Sequence, residues 1–133
     1  MDYKGIGDIV VIEDNADDSL LLIHQLKRAL IDDHVTVIAN GYAARNFLLE
    51  VTKPPLVIFL DLNLPGLSGV ELLRHIRSVR RLQTVPVIVM TGSSDPRKWK
   101  ECTDLGVTAI LEKPLSLSTF IKTVTHLFPL VTA

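Results

Sequence analysis

Five short apolar runs alternate along the chain with segments whose apolar residues recur at helical spacing. The runs are rich in β-branched residues, and several are apolar at every position, as is typical of parallel strands covered on both faces. We predict strands at 8–12, 35–39, 56–60, 85–90 and 107–111. Strands that alternate with helices in this way predict an α/β fold built on a doubly wound parallel sheet.

Start and stop signals place five helices between and after these strands. Ser68 precedes one of them, with Glu71 at the spacing of a capping box, and Gly106 follows another as a C-terminal stop. We predict helices at 20–30, 42–51, 70–79, 97–105 and 117–128. Because the 133 residues contain no internal repeat, linker or low-complexity segment, one domain is expected.

The composition is that of a globular protein, since hydrophobic residues make up 47% and charged residues 22% of the chain. A net charge of −1 gives no electrostatic case for binding nucleic acid. No apolar run approaches the ~20 residues that cross a membrane, and no signal peptide is recognised, so a cytoplasmic protein is expected. Four arginines are interpreted as the solvated end of the third predicted helix: Arg74, Arg77, Arg80 and Arg81.

Polar residues follow four of the five predicted strands, and the carboxyl ends of parallel strands are where ligands bind in such sheets. Glu13 and Asp14 come after the first strand and Asp61 after the third. Thr91 follows the fourth strand and Lys113 follows the fifth. Each residue alone is explained as a strand exit or a helix cap, but their joint occurrence at one edge predicts a site.

This set of side chains suits phosphoryl transfer. Neighbouring carboxylates repel each other and need a cation, and oxygen ligands without histidine or cysteine favour Mg²⁺. An aspartate can act as a nucleophile and form an aspartyl phosphate, while Mg²⁺ and a lysine neutralise the charge on the phosphoryl oxygens. A hydroxyl such as that of Thr91 can donate a hydrogen bond to one of those oxygens.

The residues at this edge also lie in segments that resemble response-regulator receiver domains. These segments are VVIEDN (10–15), LDLNLPGLSGVELL (60–73), VIVMTGSS (87–94) and LGVTAILEKPLSLSTF (105–120). The match covers nearly the whole chain, and it implies a flavodoxin-like sheet with strand order 2-1-3-4-5. The chain is similar to the single-domain regulators of bacterial and cyanobacterial phytochromes, so a single receiver domain over residues 1–133 with no output domain is expected.

The resemblance implies a role for each acidic residue. Asp61 would accept a phosphoryl group from the phosphohistidine of a sensor histidine kinase, for which a phytochrome-like kinase is a candidate. Asp14 would bind Mg²⁺ directly, with Glu13 beside it or acting through water. Asp61 and the backbone carbonyl of Asn63 would supply further metal ligands. The protein would then be a signalling switch with self-catalysed phosphotransfer and autodephosphorylation rather than an enzyme.

The resemblance also implies roles for the other residues of the edge. Thr91 would shift its hydroxyl toward the phosphoryl group, Lys113 would pair with the carboxylate or the phosphate, and the bond before Pro114 would be cis. Many receivers carry a tyrosine or phenylalanine switch three residues before the lysine, where this chain has Ile110. Signalling is therefore expected to pass through the loop after Thr91 and the last two helices.

Receivers often dimerise through the face formed by their fourth helix, fifth strand and fifth helix, and the resemblance makes the same homodimer a candidate for this chain. Trp99 lies in the fourth predicted helix, and apolar residues are expected around it: Val107, Ala109, Phe120, Val124, Leu127 and Phe128. A mixed apolar stripe of this kind is most often part of the core, and the homodimer surface is the alternative interpretation. The segment 127–131 is expected to extend this surface.

Two other functions compete with that of a signalling switch. A small Mg²⁺-dependent phosphohydrolase with an aspartyl-phosphate intermediate usually needs a second acid two residues after its nucleophile, where this chain has Asn63. It also carries the nucleophile after the first strand rather than the third. A flavin carrier would need a phosphate-binding loop after the first strand, where Glu13 and Asp14 would repel a phosphate.

Overall fold

The computed structural model describes residues 9–28 and 35–127, in which five strands alternate with five helices. The strands are β1 (Ile9–Ile12), β2 (Val35–Ile38), β3 (Val57–Asp61), β4 (Val87–Thr91) and β5 (Ala109–Glu112). The helices are α1 (Ala16–Arg28), α2 (Gly41–Glu50), α3 (Gly69–Ser78), α4 (Pro96–Asp104) and α5 (Leu117–Leu127), and a 3-10 turn, Arg80–Leu82, precedes β4.

The strands form one parallel sheet in the order β2-β1-β3-β4-β5, which confirms the predicted flavodoxin-like topology. The three inner strands, β1, β3 and β4, are buried along their whole length. Within the described ranges, no helix has both the length and the apolar character needed to cross a membrane.

Successive residues of each inner strand enter separate cores on the two faces of the sheet, because side chains alternate along a strand. Val10 and Ile12 pack with residues of α2, α3 and α4, whereas Ile9 and Val11 pack with residues of α1 and α5. Phe59 contacts Phe120 of α5, with 5.8 Å between the ring centroids. Both faces of the central strands are therefore covered, which explains why their sequences are apolar throughout.

Three element boundaries that differ from the predictions affect the carboxyl edge. Helix α1 begins at Ala16 rather than at residue 20, because the Asn15 side chain caps it by accepting the amide of Asp18 at 3.0 Å. Asp17 and Asp18 thus lie in the first helical turn, where negative charge is favourable. Strands β3 and β4 each extend one residue further than predicted, so that they end in Asp61 and Thr91.

The interpretation of the arginine cluster as a solvated helix end is wrong for Arg77 and Arg81. The guanidinium of Arg77 donates hydrogen bonds of 2.9–3.2 Å to the carbonyls of five residues: Leu82, Gln83, Val85, Leu105 and Gly106. Arg81 donates to carbonyls at the end of α2: Leu48, Leu49 and Val51. These side chains therefore satisfy backbone carbonyls that the ends of helices and turns leave unpaired.

The apolar surroundings expected for Trp99 are also wrong in part. Phe120 and Val124 are fully buried in the core beneath α1 and α5, on the opposite side of the sheet from the core that includes Cys102 of α4. Residue 128 and the rest of the segment 127–131 beyond Leu127 lie outside the described residues. Ile121 of α5 is a large apolar residue that is exposed.

Candidate functional site

The carboxyl ends of β1, β3, β4 and β5 bring the predicted polar residues to one edge of the sheet. Asp61 and Thr91 are the last residues of β3 and β4, while Glu13 and Lys113 directly follow β1 and β5. Backbone hydrogen bonds continue the sheet pairing through Glu13 and Lys113. The backbone amide of Glu13 donates to the carbonyl of Ile38 at 3.0 Å, and the backbone amide of Lys113 donates to the carbonyl of Thr91 at 2.8 Å. The backbone of these site residues is therefore held by the sheet.

The close approach of α3 to the end of β3 depends on a glycine. The helix starts at Gly69, whose amide donates to the carbonyl of Leu62 at 3.1 Å. A Cβ atom at this position would lie 2.7 Å from the carbonyl oxygen of Asp61 and 2.4 Å from the Cα atom of Leu62. Such contacts are too short, so glycine lets the helix support the backbone that presents Asp61.

Three carboxylates meet at this edge in an arrangement that suits a cation. Glu13, Asp14 and Asp61 each offer an oxygen, and these oxygens lie within 4.8 Å of one another. Glu13 and Asp61 are both 3% exposed, whereas Asp14 is exposed. An all-oxygen set of this kind fits a hard divalent cation that keeps part of its water shell.

Asn63 lies in the loop that follows Asp61, and its backbone amide donates a hydrogen bond to the Oδ1 atom of Asp61 at 2.9 Å. This hydrogen bond fixes the orientation of the Asp61 carboxylate. The predicted role of the Asn63 carbonyl as a metal ligand stays a prediction.

Lys113 is bound to three carboxylates at once. Its Nζ atom donates to Oε1 of Glu13 at 2.5 Å, to Oδ2 of Asp18 at 3.0 Å and to Oδ2 of Asp61 at 3.2 Å. Burial by itself would lower the pKa of Lys113, but hydrogen bonds to Glu13 and Asp18 and the charges of Asp61 and Glu13 outweigh it and raise that pKa. The lysine is therefore charged.

The pKa of Glu13 is raised to about 7, first because the side chain is buried and then because Asp61 lies beside it, whereas the hydrogen bond from Lys113 acts in the opposite direction. One ammonium thus does not fully compensate the carboxylates that surround it. Additional positive charge at this edge would relieve the repulsion between Glu13 and Asp61.

Asp18 is a member of this group that the sequence pattern did not assign to the site. The polar residues at this point of the sequence indicate a segment that precedes a helix. In the structure Asp18 is instead in the first turn of α1, and its side chain binds Lys113 at the carboxyl edge of the sheet. Its position four residues after Asp14, in the helix that leaves the edge, is a signal that could have placed it nearby. Its contact with Lys113 joins residues 95 positions apart in the chain.

Thr91 connects the site to helix α4 through the loop between them. The buried Thr91 hydroxyl oxygen accepts the amide of Ser93 at 3.0 Å, and the indole nitrogen of Trp99 donates to the Ser93 carbonyl at 2.8 Å. A Cβ atom added to Gly92 would meet no heavy atom within 4 Å, so space is open beside Thr91. A movement of the Thr91 hydroxyl would therefore change its hydrogen bond with Ser93 and so affect the loop that Trp99 contacts.

Ile110 does not join the polar group. It is half-buried in β5, pairs with Val89 of β4 and packs against the core on the side of α2, α3 and α4. The peptide bond between Lys113 and Pro114 is cis, the isomer that the sequence resemblance implied. Next to Lys113 is a cavity of about 270 Å³ whose lining includes Glu13, Asp18 and Leu21.

Comparison with known protein families gives a match over most of the chain. Residues 9–125 match the family model described as the response regulator receiver domain. The matched range includes every residue at the carboxyl edge described above.

Individual relatives and solved structures agree with this match. The response regulator Rcp1 of Synechocystis sp. is 34% identical over 121 residues, which cover 87% of this chain and 82% of the relative. The crystal structure of the Mn²⁺-bound form of Rcp1 aligns with a TM-score of 0.79 and 31% identity, over 95% of this chain and 94% of that one. The structure of the phosphorylated cyanobacterial phytochrome response regulator RcpA aligns with a TM-score of 0.78 and 27% identity, over 94% of this chain and 93% of that one.

Proposed function

Because the chain belongs to the response regulator receiver domain family, we propose that it is a stand-alone response regulator that accepts a phosphoryl group on Asp61 from a sensor histidine kinase. The observation that carries this proposal is the meeting of Asp61 with Glu13, Asp14 and Lys113 at one edge of the sheet. The kinase would be phytochrome-like, since the relatives include phytochrome response regulators. The protein would act in the cytoplasm through contacts with other proteins.

The transfer step follows from the chemistry of these side chains. An oxygen of the Asp61 carboxylate bonds to phosphorus while the bond from phosphorus to the donor histidine breaks, and the electron pair of that bond stays on the imidazole nitrogen. Lys113 offers positive charge to the phosphoryl oxygens, and the Thr91 hydroxyl donates a hydrogen bond to one of them. Asn63 holds the Asp61 carboxylate in place through its amide.

The residues that would hold a divalent metal are Glu13, Asp14, Asp61 and the backbone carbonyl of Asn63. When bound, the metal supplies positive charge against the phosphoryl oxygens. The similar structure of Rcp1 is the Mn²⁺-bound form of that protein. We propose Mg²⁺ for this chain because all of its candidate ligand atoms are oxygens.

The proposed function is tested by incubating the protein with acetyl phosphate and Mg²⁺ and measuring the intact mass. We expect one phosphate per chain, stable in acid and released in base, and no uptake when the metal is chelated. Repeated turnover of a phosphate ester without a stable phosphorylated protein would instead support the phosphohydrolase. That alternative has no leaving-group acid at Asn63, and the family to which the chain belongs is a signalling family.

The metal proposal predicts that Mg²⁺ stabilises the wild type but not the Asp14→Asn variant. At a Mg²⁺ concentration about 100 times Kd, binding to the folded state adds about 2.7 kcal/mol to the free energy of unfolding. Thermal unfolding with Mg²⁺ and with a chelator measures the difference. Asp17→Asn is a matched control, because it removes the same charge from the chain without touching the carboxylate group, and it should keep the stabilisation. An equal shift in Asp14→Asn and wild type would contradict this metal site.

Signal transmission is proposed to use the hydrogen bonds from Thr91 to Trp99, because Ile110 offers no aromatic switch. Trp99 is the only tryptophan, so its fluorescence reports on this loop. We expect phosphorylation to change the emission in wild type and in Thr91→Ser, which keeps the hydroxyl, but not in Thr91→Val. Complete phosphorylation by mass with unchanged wild-type emission would contradict this route.

A homodimer through the α4-β5-α5 face stays a prediction. Ile121 of α5 is an exposed large apolar side chain that could contribute to such a contact. Analytical ultracentrifugation of the protein with and without phosphorylation measures its oligomeric state. A monomer in both states would contradict the homodimer.

A further inference from the structure

The ammonium of Lys113 has no hydrogen left to give to a phosphoryl group. It has three N–H donors, and each has a carboxylate acceptor: Glu13, Asp18 and Asp61. A phosphoryl oxygen that pairs with Lys113 must therefore take the place of one of these acceptors. Which acceptor leaves decides how the resting site responds to phosphate.

Two of the three acceptors are poorly placed to leave. The side chain of Glu13 is 1% exposed and makes the shortest of the three bonds. Asp61 is 4% exposed and is itself the residue that carries the phosphoryl group. Taking Lys113 away from Glu13 would leave a buried carboxylate without this partner, which is costly. Asp61 is still a carboxylate while the phosphoryl donor approaches, and its charge passes to the phosphoryl oxygens only when its oxygen bonds to phosphorus.

Asp18 differs because it is 44% exposed and can be hydrated when the lysine leaves. It lines the same cavity as Lys113, so the ammonium has space beside it in which to move. Building on the proposed function, we propose that Asp18 is a positioning residue that holds Lys113 in the resting site and releases it to the phosphoryl group. Asp18 therefore competes with phosphate for the ammonium and slows the phosphorylation of Asp61.

The direction of the effect follows from charge. Replacing Asp18 with Asn weakens a contact that the resting site makes and the phosphorylated site gives up. It also removes a negative charge from the surroundings of an incoming anion. Both changes favour phosphoryl uptake. Hydrolysis should change much less, because the phosphoryl charge is already in place before that step begins.

The experiment compares Asp18→Asn with Asp17→Asn in the 133-residue chain with acetyl phosphate and Mg²⁺. Both variants remove one negative charge from the first turn of α1, but of these two side chains only that of Asp18 binds Lys113 in the part of the chain that the structure describes. We expect uptake by Asp18→Asn to be roughly threefold to tenfold faster than wild type, the effect of one unit charge at contact distance in a hydrated setting. Uptake by Asp17→Asn should stay within about twofold of wild type, since a more distant exposed charge is screened.

Three further measurements separate this role from a structural one. The advantage of Asp18→Asn should shrink as salt increases, and Asp18→Glu, which keeps the charge, should return toward the wild-type rate. Calorimetry with beryllium fluoride, an analogue of the phosphoryl group, should show tighter binding to Asp18→Asn than to Asp17→Asn.

Uptake and analogue binding that are equal in Asp18→Asn and Asp17→Asn, or weaker in Asp18→Asn, would overturn the inference. A wild type that takes up no phosphate on Asp61 would instead count against the proposed function, and the calorimetric comparison would still test the role of Asp18. The two failures are therefore distinguishable.

Discussion

Replacing Asp61 with Asn is expected to reduce phosphate uptake to background, the largest functional effect expected of any single substitution at this site. The carboxamide oxygen is a much weaker nucleophile than the carboxylate, so the bond to phosphorus does not form. The fold should be retained, because the carboxamide oxygen can still accept the hydrogen bond from the backbone amide of Asn63. The bond from Lys113 to the other oxygen is lost, but the ammonium keeps its bonds to Glu13 and Asp18. Intact mass after incubation with acetyl phosphate and Mg²⁺ measures uptake.

The stability of this variant provides an independent measurement. Asp61 is one cause of the raised pKa of Glu13, so removing its charge relieves a repulsion while weakening the bond to Lys113. We therefore expect metal-free Asp61→Asn to unfold at nearly the same denaturant concentration as wild type, so that loss of uptake reports on chemistry. A base-labile phosphate that persists in Asp61→Asn would show that another residue is the acceptor.

Replacing Arg77 with Ala is expected to lower the free energy of unfolding by about 3 kcal/mol, a large loss for one residue. The guanidinium satisfies the carbonyls of Val85, Leu105 and three other residues, and it is partly buried among them. Water can replace the more exposed contacts, but the buried carbonyls would be left without a donor. Urea unfolding measures the change in the free energy of unfolding. The dependence of that free energy on urea concentration should be the same in both proteins, so that the two values can be compared.

Arg80 provides the matched control for Arg77. It belongs to the same basic cluster, but its side chain is exposed and makes no hydrogen bond within the described residues. Arg80→Ala should change stability by less than about 0.5 kcal/mol. Arg77→Lys should recover little, because an ammonium cannot reproduce the planar fork of donors. Equal losses in Arg77→Ala and Arg80→Ala would mean that the cluster is solvated, as its charge pattern suggested.

The strands and the core of the site could be predicted because the relevant signals are local. Apolar runs of β-branched residues mark buried strands, and a polar residue directly after such a run must lie at its carboxyl end. Parallel pairing then brings those ends together without further information. Glu13, Asp61, Thr91 and Lys113 are placed by this reasoning, and the structure has all of them at the same edge.

The partners of individual charged side chains could not be obtained in this way. Arg77 and Asp18 both lie in segments whose polar pattern is typical of exposed helix ends. The carbonyls that Arg77 binds include those of Leu105 and Gly106, 28 and 29 positions away. Such contacts depend on how α3 is rotated against the end of α4 and the start of β5, which no local spacing encodes.

By itself, the sequence determined the order and type of the elements, the two-sided burial of the sheet and the residue types at its carboxyl edge, because these depend on periodicity and on the geometry of parallel strands. Only the tertiary structure decided which carboxylates share the ammonium of Lys113, since that depends on the packing of α1 against the end of β5. The same packing decides that Asp18, and not the adjacent Asp17, contacts Lys113. Adjacent acids in one helical turn point in different directions, and only one of them reaches the lysine.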